Sequence, residues 1–144
     1  MDRGSAPSRS AYKHLRSITT RWHDNDVYRH VNNIVYYSFF DTVINGYLMT
    51  EGALDYERSE IVGLAIETHC QFHKPIRFPQ TVEAGLRVSK LGNSSVRYEI
   101  GIFVEGEPEC CAEGYFVHVF VQRPHNSPIR IPAQIRSALE RLLI

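Results

Sequence analysis

Residues 31–49 read VNNIVYYSFFDTVINGYLM. The polar side chains of this stretch recur at Ser38, Asp41, Thr42 and Asn45, a spacing of i, i+3, i+4 and i+7 that places them on one stripe of an α-helix. Most other positions carry large apolar side chains. A helix with so narrow a polar stripe is buried around most of its circumference. The stretch therefore predicts a long helix at the centre of the fold.

The residues that flank this stretch predict where the helix begins and ends. Asn32 or Asn33 suits the N-cap, because a short amide side chain can accept a hydrogen bond from the N–H groups of the first turn. Gly52 and the polar residues that follow it predict the C-terminal end.

The rest of the chain shows the two-residue alternation of half-buried strands. Strands are predicted at residues 15–22, 62–72, 82–89, 95–104 and 115–121, and a short amphipathic helix at residues 132–143. The last strand is apolar at nearly every position, so we expect it at the centre of the sheet with both faces covered. This order of elements predicts an α+β fold in which an antiparallel sheet wraps around one helix.

Composition excludes several classes of protein. The chain has 144 residues, which suits one domain with one core. We expect residues 1–11 to form a disordered tail and residues 12–144 to form the domain. The chain has 16 Lys and Arg residues and 16 Asp and Glu residues. It therefore lacks the excess of basic charge that is typical of nucleic-acid-binding proteins, and no nucleic-acid partner is expected. No stretch approaches the ~18 apolar residues of a membrane span, so no membrane association is expected.

The cysteines indicate a reducing compartment. The chain has three cysteines, Cys70, Cys110 and Cys111. An odd count in which two residues are adjacent does not suit a disulfide framework. We expect a cytoplasmic protein, with an organelle as the alternative because Arg and Ser are frequent in the first ten residues. No metal site is expected, since the chain has no C-x-x-C pair. The alternating polar residues at 67, 69 and 73 are more typical of a solvated strand face than of metal ligands.

A polar loop directly before the helix concentrates chemically useful side chains. Residues 21–33 read RWHDNDVYRHVNN. A helix N-terminus offers unpaired N–H donors and a partial positive charge, which can hold the oxyanion of an acyl-transfer reaction. A carboxylate a few residues upstream can reach the carbonyl carbon or a water aimed at it. Taken singly, however, Asp24, Asp26, His23 and His30 are each more often structural.

The combined motifs resemble a known family. Arg21-Trp22, Asp24-x-Asp26 and His30-Val31-Asn32-Asn33, followed by Tyr36 and Phe40, are similar to the 4-hydroxybenzoyl-CoA thioesterase-like branch of the hotdog superfamily. That branch includes bacterial acyl-CoA thioesterases of the Tol-Pal-associated type and plant acyl-acyl carrier protein thioesterases. The resemblance continues through Phe72-x-x-Pro75, Leu91-Gly92-x-Ser94-Ser95 and Ile131-Pro132, and so covers roughly residues 15–143.

The resemblance implies a hotdog fold, with a five-stranded antiparallel sheet around the long helix, and subunits paired by sheet extension into homodimers or homotetramers. It implies an acyl-CoA thioesterase whose sites lie at the dimer interface. Asp26 matches the nucleophile or general base, the backbone N–H near Asn33 matches the oxyanion donor, and His30 matches a histidine of the plant-type site. The plant-type enzymes have Asn where this chain has Tyr28, so their Asp-Asn-His set is incomplete here.

Several residues are candidates for holding such a substrate, with core packing, turn formation and solvated surface charge as the alternative interpretations. Tyr36 and Phe40 are candidates for lining the acyl pocket, and Ser94 and Ser95 for meeting the pantetheine or nucleotide of coenzyme A. Basic residues that could attract its phosphates are Lys74, Arg77 and Arg87. No cofactor is expected beyond the coenzyme A carried by the substrate. Acyl-chain preference and the choice between coenzyme A and acyl carrier protein stay open, and a non-catalytic acyl-CoA-binding module is the alternative function.

Overall fold

The antiparallel sheet and the long helix are both present in the computed structural model, which describes residues 6–144. The helices are α1 (Asn33–Glu51) and α2 (Ala133–Glu140). The strands are β1 (His14–Thr19), β2 (Ile61–Phe72), β3 (Thr81–Leu91), β4 (Ser95–Val104), β5 (Cys110–Gln122) and β6 (Ser127–Pro128). The five long strands run in the order β1-β3-β4-β5-β2, and the two-residue β6 pairs with β5. The predicted hotdog architecture is confirmed.

One side of α1 packs against the sheet and forms the core. Seven of its residues are buried, and they belong to one hydrophobic cluster with strand residues such as Leu86 and Ile100. Each large apolar side chain buried in this way contributes roughly 1.5–3 kcal/mol to folding. Ser38, Asp41 and Thr42 of the polar stripe are exposed. The helix is central, as its sequence predicts, but its exposed side is wider than the polar stripe, because Ile34 (73%) and Met49 (47%) are exposed as well.

Both ends of α1 follow the predicted capping. The side-chain oxygen of Asn32 accepts a hydrogen bond from the N–H of Ile34 at 3.1 Å, which makes Asn32 the N-cap. At the other end the N–H of Gly52 donates to the Leu48 carbonyl at 3.0 Å. Within residues 6–144, no helix has both the length and the apolar composition needed to cross a membrane.

Two strand predictions need correction. The first strand ends at Thr19 rather than at residue 22, because Trp22–Asp24 form a turn of 3-10 helix. The strand over 115–121 is second from the edge of the sheet, and only one of its faces is covered. Phe116 and Phe120 face the core, whereas Val117 and Val119 are half-buried on the other face. The prediction of two covered faces was wrong because both helices lie on one side of the sheet.

The N-terminal segment crosses the face of the sheet opposite α1. Residues 1–5 of the predicted tail lie outside the described residues, and Arg9–Ala11 form a 3-10 turn. The Arg9 guanidinium donates to the carbonyls of Val104 (3.2 Å) and Glu107 (2.7 Å). The next residue after the turn, Tyr12, is buried against the strands. A Cβ atom at Gly85 would come within 2.6 Å of its ring, so a glycine at this position lets the tyrosine lie flat on the sheet.

A buried polar pair lies in the otherwise apolar core. The Tyr98 hydroxyl and Nδ1 of His118 are 3.1 Å apart, and both side chains are buried. The His118 ring also contacts Phe116 and Phe120 edge-on. Burial favours the uncharged imidazole and lowers the pKa of His118 from 6.5 to about 4.

This histidine is expected to make the protein sensitive to acid. In the unfolded chain His118 binds a proton below about pH 6.5, whereas in the folded chain it does so only near pH 4. Its contribution to stability is therefore complete above pH 6.5 and is lost as the pH falls toward 4, a change of about 3 kcal/mol. In His118→Gln, which does not titrate, the drop in unfolding free energy between pH 7 and pH 4.5 should shrink by about 2–3 kcal/mol. Urea unfolding at both pH values measures this, and equal drops in the two proteins would contradict it.

Candidate active site

The loop before α1 is a tight turn closed by backbone hydrogen bonds. Asn25 and Val31 pair as an antiparallel bridge. Inside it the N–H of Asp26 donates to the His30 carbonyl at 2.9 Å, and the N–H of Arg29 donates to the Asp26 carbonyl at 3.0 Å. Arg29 adopts the left-handed conformation, with φ of 68°, which is uncommon for a residue other than glycine. The turn fixes the backbone of Asp26 relative to the helix.

The first of the two acids, Asp24, supports the loop. Its carboxylate is buried and accepts hydrogen bonds from the Arg21 backbone N–H (2.7 Å) and from the Arg21 guanidinium (2.8 and 3.0 Å). The Asp24 carbonyl also accepts from the N–H of Asn32 at 2.9 Å, so this residue ties the loop to the helix cap. All these contacts give Asp24 a structural role.

The second acid, Asp26, keeps one carboxylate oxygen available. Its Oδ1 accepts a hydrogen bond from the N–H of Tyr28 at 2.9 Å, a local Asx-turn that orients the side chain. In the described part of the chain, its Oδ2 has no hydrogen-bond donor. Asp26 is half-buried and faces a cleft of about 440 Å³.

The N-terminal turn of α1 opens into the same cleft. The N–H groups of Ile34 and Val35 are satisfied by Asn32, through its side chain (3.1 Å) and its carbonyl (2.9 Å). Among residues 6–144 the N–H of Asn33 has no acceptor, and Asn33 lines the cleft. An unpaired donor at a helix N-terminus carries partial positive charge. The structure thus brings Asp26 and Asn33, predicted from sequence as the reactive pair, to one cavity.

The floor of the cleft is apolar and its rim is polar. Val31, Tyr36, Phe72 and Pro75 provide apolar lining, and the Tyr36 ring contacts the edge of Phe72 with centroids 5.0 Å apart. Burial raises the pKa of the Tyr36 hydroxyl to about 12, so it stays protonated. His30, exposed, lies on the rim.

His73 and Lys74 also line the cleft. His73 was not predicted as a site residue, and Lys74 was predicted only as a candidate for attracting the phosphates of coenzyme A. They follow β2 in sequence and reach the loop because the Val31 N–H donates to the Ile76 carbonyl at 2.7 Å. That contact joins segments some 45 residues apart, and no local pattern reveals it. The quoted Phe72-x-x-Pro75 motif was the available signal, since both its named residues line the cleft.

Other predicted substrate residues lie elsewhere in this chain. Phe40 is fully buried in the core and does not line the cleft. Ser94 and Ser95 lie at the turn between β3 and β4, and Ser95 pairs with Val119, whereas Phe72 beside the cleft pairs with Ala112. They are therefore at the opposite end of the sheet and could reach such a cleft only from another subunit. Their role in binding substrate stays a prediction.

The three basic candidates for binding phosphate differ in their surroundings. Lys74 pairs with Glu109 and with Glu107 (3.4 Å), and these acids raise the pKa of its ammonium group. Arg87 pairs with Glu99 at 2.7 Å beside a different cleft. Arg77 forms no ion pair within residues 6–144. Among those residues no group of three or more His, Cys, Asp or Glu side chains is arranged to hold a metal ion.

A comparison with protein families identifies the family of this chain. A model of the thioesterase superfamily matches residues 28–111, more than half of the chain. The chain belongs to the thioesterase superfamily. The matched region begins two residues after Asp26 and includes the start of α1. No curated protein matches the chain.

Several solved structures share the fold of this chain, and two of those given below are named as coenzyme A thioesterases. The PA5185 protein of Pseudomonas aeruginosa strain PAO1 is 52% identical, with 95% of this chain and 96% of that chain covered and a TM-score of 0.94. The BH1999 gentisyl-coenzyme A thioesterase is 21% identical (88% and 99% covered, TM-score 0.77). Slr0204, a 1,4-dihydroxy-2-naphthoyl-CoA thioesterase from Synechocystis, is 12% identical (87% and 93% covered, TM-score 0.78). The last two likenesses establish the shared fold.

Proposed function

We propose that this protein is an acyl-CoA thioesterase, which hydrolyses the thioester to a free acid and coenzyme A. The observation that carries the proposal is one cleft lined both by Asp26, whose carboxylate keeps a free oxygen, and by Asn33, whose backbone N–H has no acceptor among residues 6–144. Membership of the thioesterase superfamily and the coenzyme A thioesters named for two structural neighbours support the substrate class. The apolar floor of the cleft, of which Tyr36 is part, suits an acyl group.

Two routes use the same residues. As a general base, Asp26 takes a proton from water while the hydroxide attacks the carbonyl carbon, and the Asn33 N–H stabilises the oxyanion. Collapse breaks the C–S bond, and the thiolate of coenzyme A leaves and takes up a proton. As a nucleophile, Asp26 forms an acyl anhydride and releases the thiolate, after which water cleaves the anhydride. Neither route needs a metal or a further cofactor. We propose that His30, which also lines the cleft, orients water or the leaving group.

Isotope labelling can identify the nucleophilic route. After a single turnover in ¹⁸O-labelled water, mass spectrometry finds label in the Asp26 carboxylate only if Asp26 formed the anhydride and water then cleaved it at the aspartyl carbonyl. A general base leaves the protein unlabelled, as does an anhydride that water cleaves at the acyl carbonyl, so label in the protein is the diagnostic result.

The function is tested with a panel of aliphatic and aromatic acyl-CoAs, following release of free thiol. A hydrolase releases thiol catalytically, with many turnovers per protein. The alternative, a non-catalytic module, would bind acyl-CoA in calorimetry and release no thiol. A binder has no use for a carboxylate beside the carbonyl, where it would repel a developing oxyanion, and this favours the hydrolase.

We also propose that the active form is a homodimer or homotetramer. Strand β2 lies at one edge of the sheet, so one side of its 12-residue backbone is unpaired within the chain. It exposes Leu64 (39%) and Ile66 (63%), and Ile34 beside the cleft is 73% exposed. Pairing of two such edges satisfies the backbone and covers apolar side chains. Light scattering at micromolar concentration should give a dimer or tetramer, and a monomer would contradict the proposal.

A further inference from the structure

A second cleft adjoins the candidate active site on the other side of the loop. It has a volume of about 650 Å³ and is lined by the aromatic residues Trp22, Tyr28 and Phe78 together with Arg29, His30 and Arg77. Tyr28 and His30 line both clefts. The two clefts therefore meet at Tyr28 and His30.

The aromatic side chains of this cleft are unusually exposed. Trp22 and Tyr28 are each 77% exposed, although large aromatic residues are normally well buried. Trp22 contacts Phe78 edge-on, with centroids 5.8 Å apart and planes at 86°. The Phe78 N–H donates to the Asn25 side chain at 3.1 Å, which ties the two loops together. Because 77% of each side chain is exposed, Trp22 and Tyr28 present aromatic surface on which a planar ring can stack.

The cationic side chains of the cleft lack acidic partners. Most neighbouring cations are neutralised, as in the pairs Arg21–Asp24 and Lys74–Glu109. Arg29 and Arg77 form no ion pair among residues 6–144, and no carboxylate lines the cleft. Two unpaired guanidinium groups beside exposed aromatic rings suit a ligand that carries both phosphates and a planar base, because guanidinium binds phosphate in bidentate fashion and aromatic rings stack on bases.

We propose that this cleft binds the phosphorylated adenosine end of coenzyme A, with the purine on Trp22 or Tyr28 and the phosphates at Arg29 and Arg77. The proposal rests on the proposed function and extends it. Acyl carrier protein presents its thioester on phosphopantetheine without a nucleotide, so the cleft makes coenzyme A the preferred thioester donor. Arg77, Arg29 and Trp22 then determine donor specificity, while Asp26 and Asn33 carry out the reaction.

Binding is tested with adenosine 3′,5′-bisphosphate in isothermal calorimetry. The wild-type protein should bind this nucleotide, and Arg77→Ala and Trp22→Ala should each weaken binding about tenfold, the effect of losing one charge-assisted or stacking contact. Arg130→Ala is the matched control, since Arg130 is also exposed and has no ion pair among the described residues. Its affinity should equal that of wild type. No binding by wild type, or equal losses in all three variants, would overturn the proposal.

Kinetics with two donors separate this proposal from the proposed function. For one acyl group, KM should be about tenfold lower for acyl-CoA than for acyl-pantetheine, and Arg77→Ala should shrink that difference. Equal KM values in wild type would overturn the nucleotide site and leave the hydrolase intact. Hydrolysis of neither donor would overturn the proposed function, while calorimetry would still test the cleft. If Trp22→Ala dissociates the oligomer in light scattering and leaves nucleotide affinity unchanged, the cleft is an interface between copies and the proposal fails.

Discussion

Asn33→Pro is expected to fold and to lose roughly 10²–10³-fold in turnover, the cost of removing one oxyanion donor. Proline is well tolerated at the first position of a helix, where its missing N–H has no helical partner in any case. Asn32 already has the extended conformation that a residue before proline requires, with φ of −60° and ψ of 141°. The substitution therefore removes the N–H and leaves the start of the helix in place.

The control for this variant is Asn33→Ala, which removes the side chain and keeps the backbone donor. Its turnover should stay within a few-fold of wild type. Circular dichroism and thermal unfolding establish that both variants are folded. A folded Asn33→Pro protein with full turnover would show that the donor lies elsewhere.

Asp26→Asn is expected to lower turnover at least ~10²-fold, the lower end for loss of a general base. An amide is neither a good base nor a good nucleophile, yet its oxygen can still accept the hydrogen bond from the Tyr28 N–H at 2.9 Å. The Asx-turn that shapes the loop is therefore retained, and the melting temperature should stay close to that of wild type. Steady-state thiol release and thermal unfolding measure the two quantities.

Asp24→Asn is expected to lower stability and to have little effect on turnover, the reverse of Asp26→Asn. The buried Asp24 carboxylate accepts hydrogen bonds from both the backbone and the guanidinium of Arg21, so neutralising it should cost about 1–3 kcal/mol of stability. Its effect on turnover should be much smaller than that of Asp26→Asn. If the two asparagine variants lost activity equally, Asp26 would have no special role.

The central helix and most strands were predictable because their signals are local. The polar stripe at Ser38, Asp41 and Thr42 sets the helix face, and Asn32 marks its start. The outer face of β5 was not predictable in this way. Val117 and Val119 read as buried residues, but whether a face is covered depends on which side the helices pack, and that is decided by the whole fold.

The same distinction applies to the site. Asp26 and Asn33 lie in one continuous stretch, so the sequence itself placed them near the helix N-terminus. His73 and Lys74 reach the cleft through pairing between the loop and residue 76, a contact that depends on the sheet topology. The second cleft likewise needs Trp22 and Phe78 in contact, and their separation in sequence gives no sign of it.

The most direct test of the central claim, that Asp26 carries out thioester hydrolysis in this cleft, is a single-turnover comparison with enzyme in excess of one acyl-CoA. Wild type and Asp26→Asn are mixed with the same substrate at concentrations that saturate both, and the rate of thiol release is followed. The predicted result is equal binding and release at least ~10²-fold slower in the variant. Release at the wild-type rate by Asp26→Asn would contradict the account.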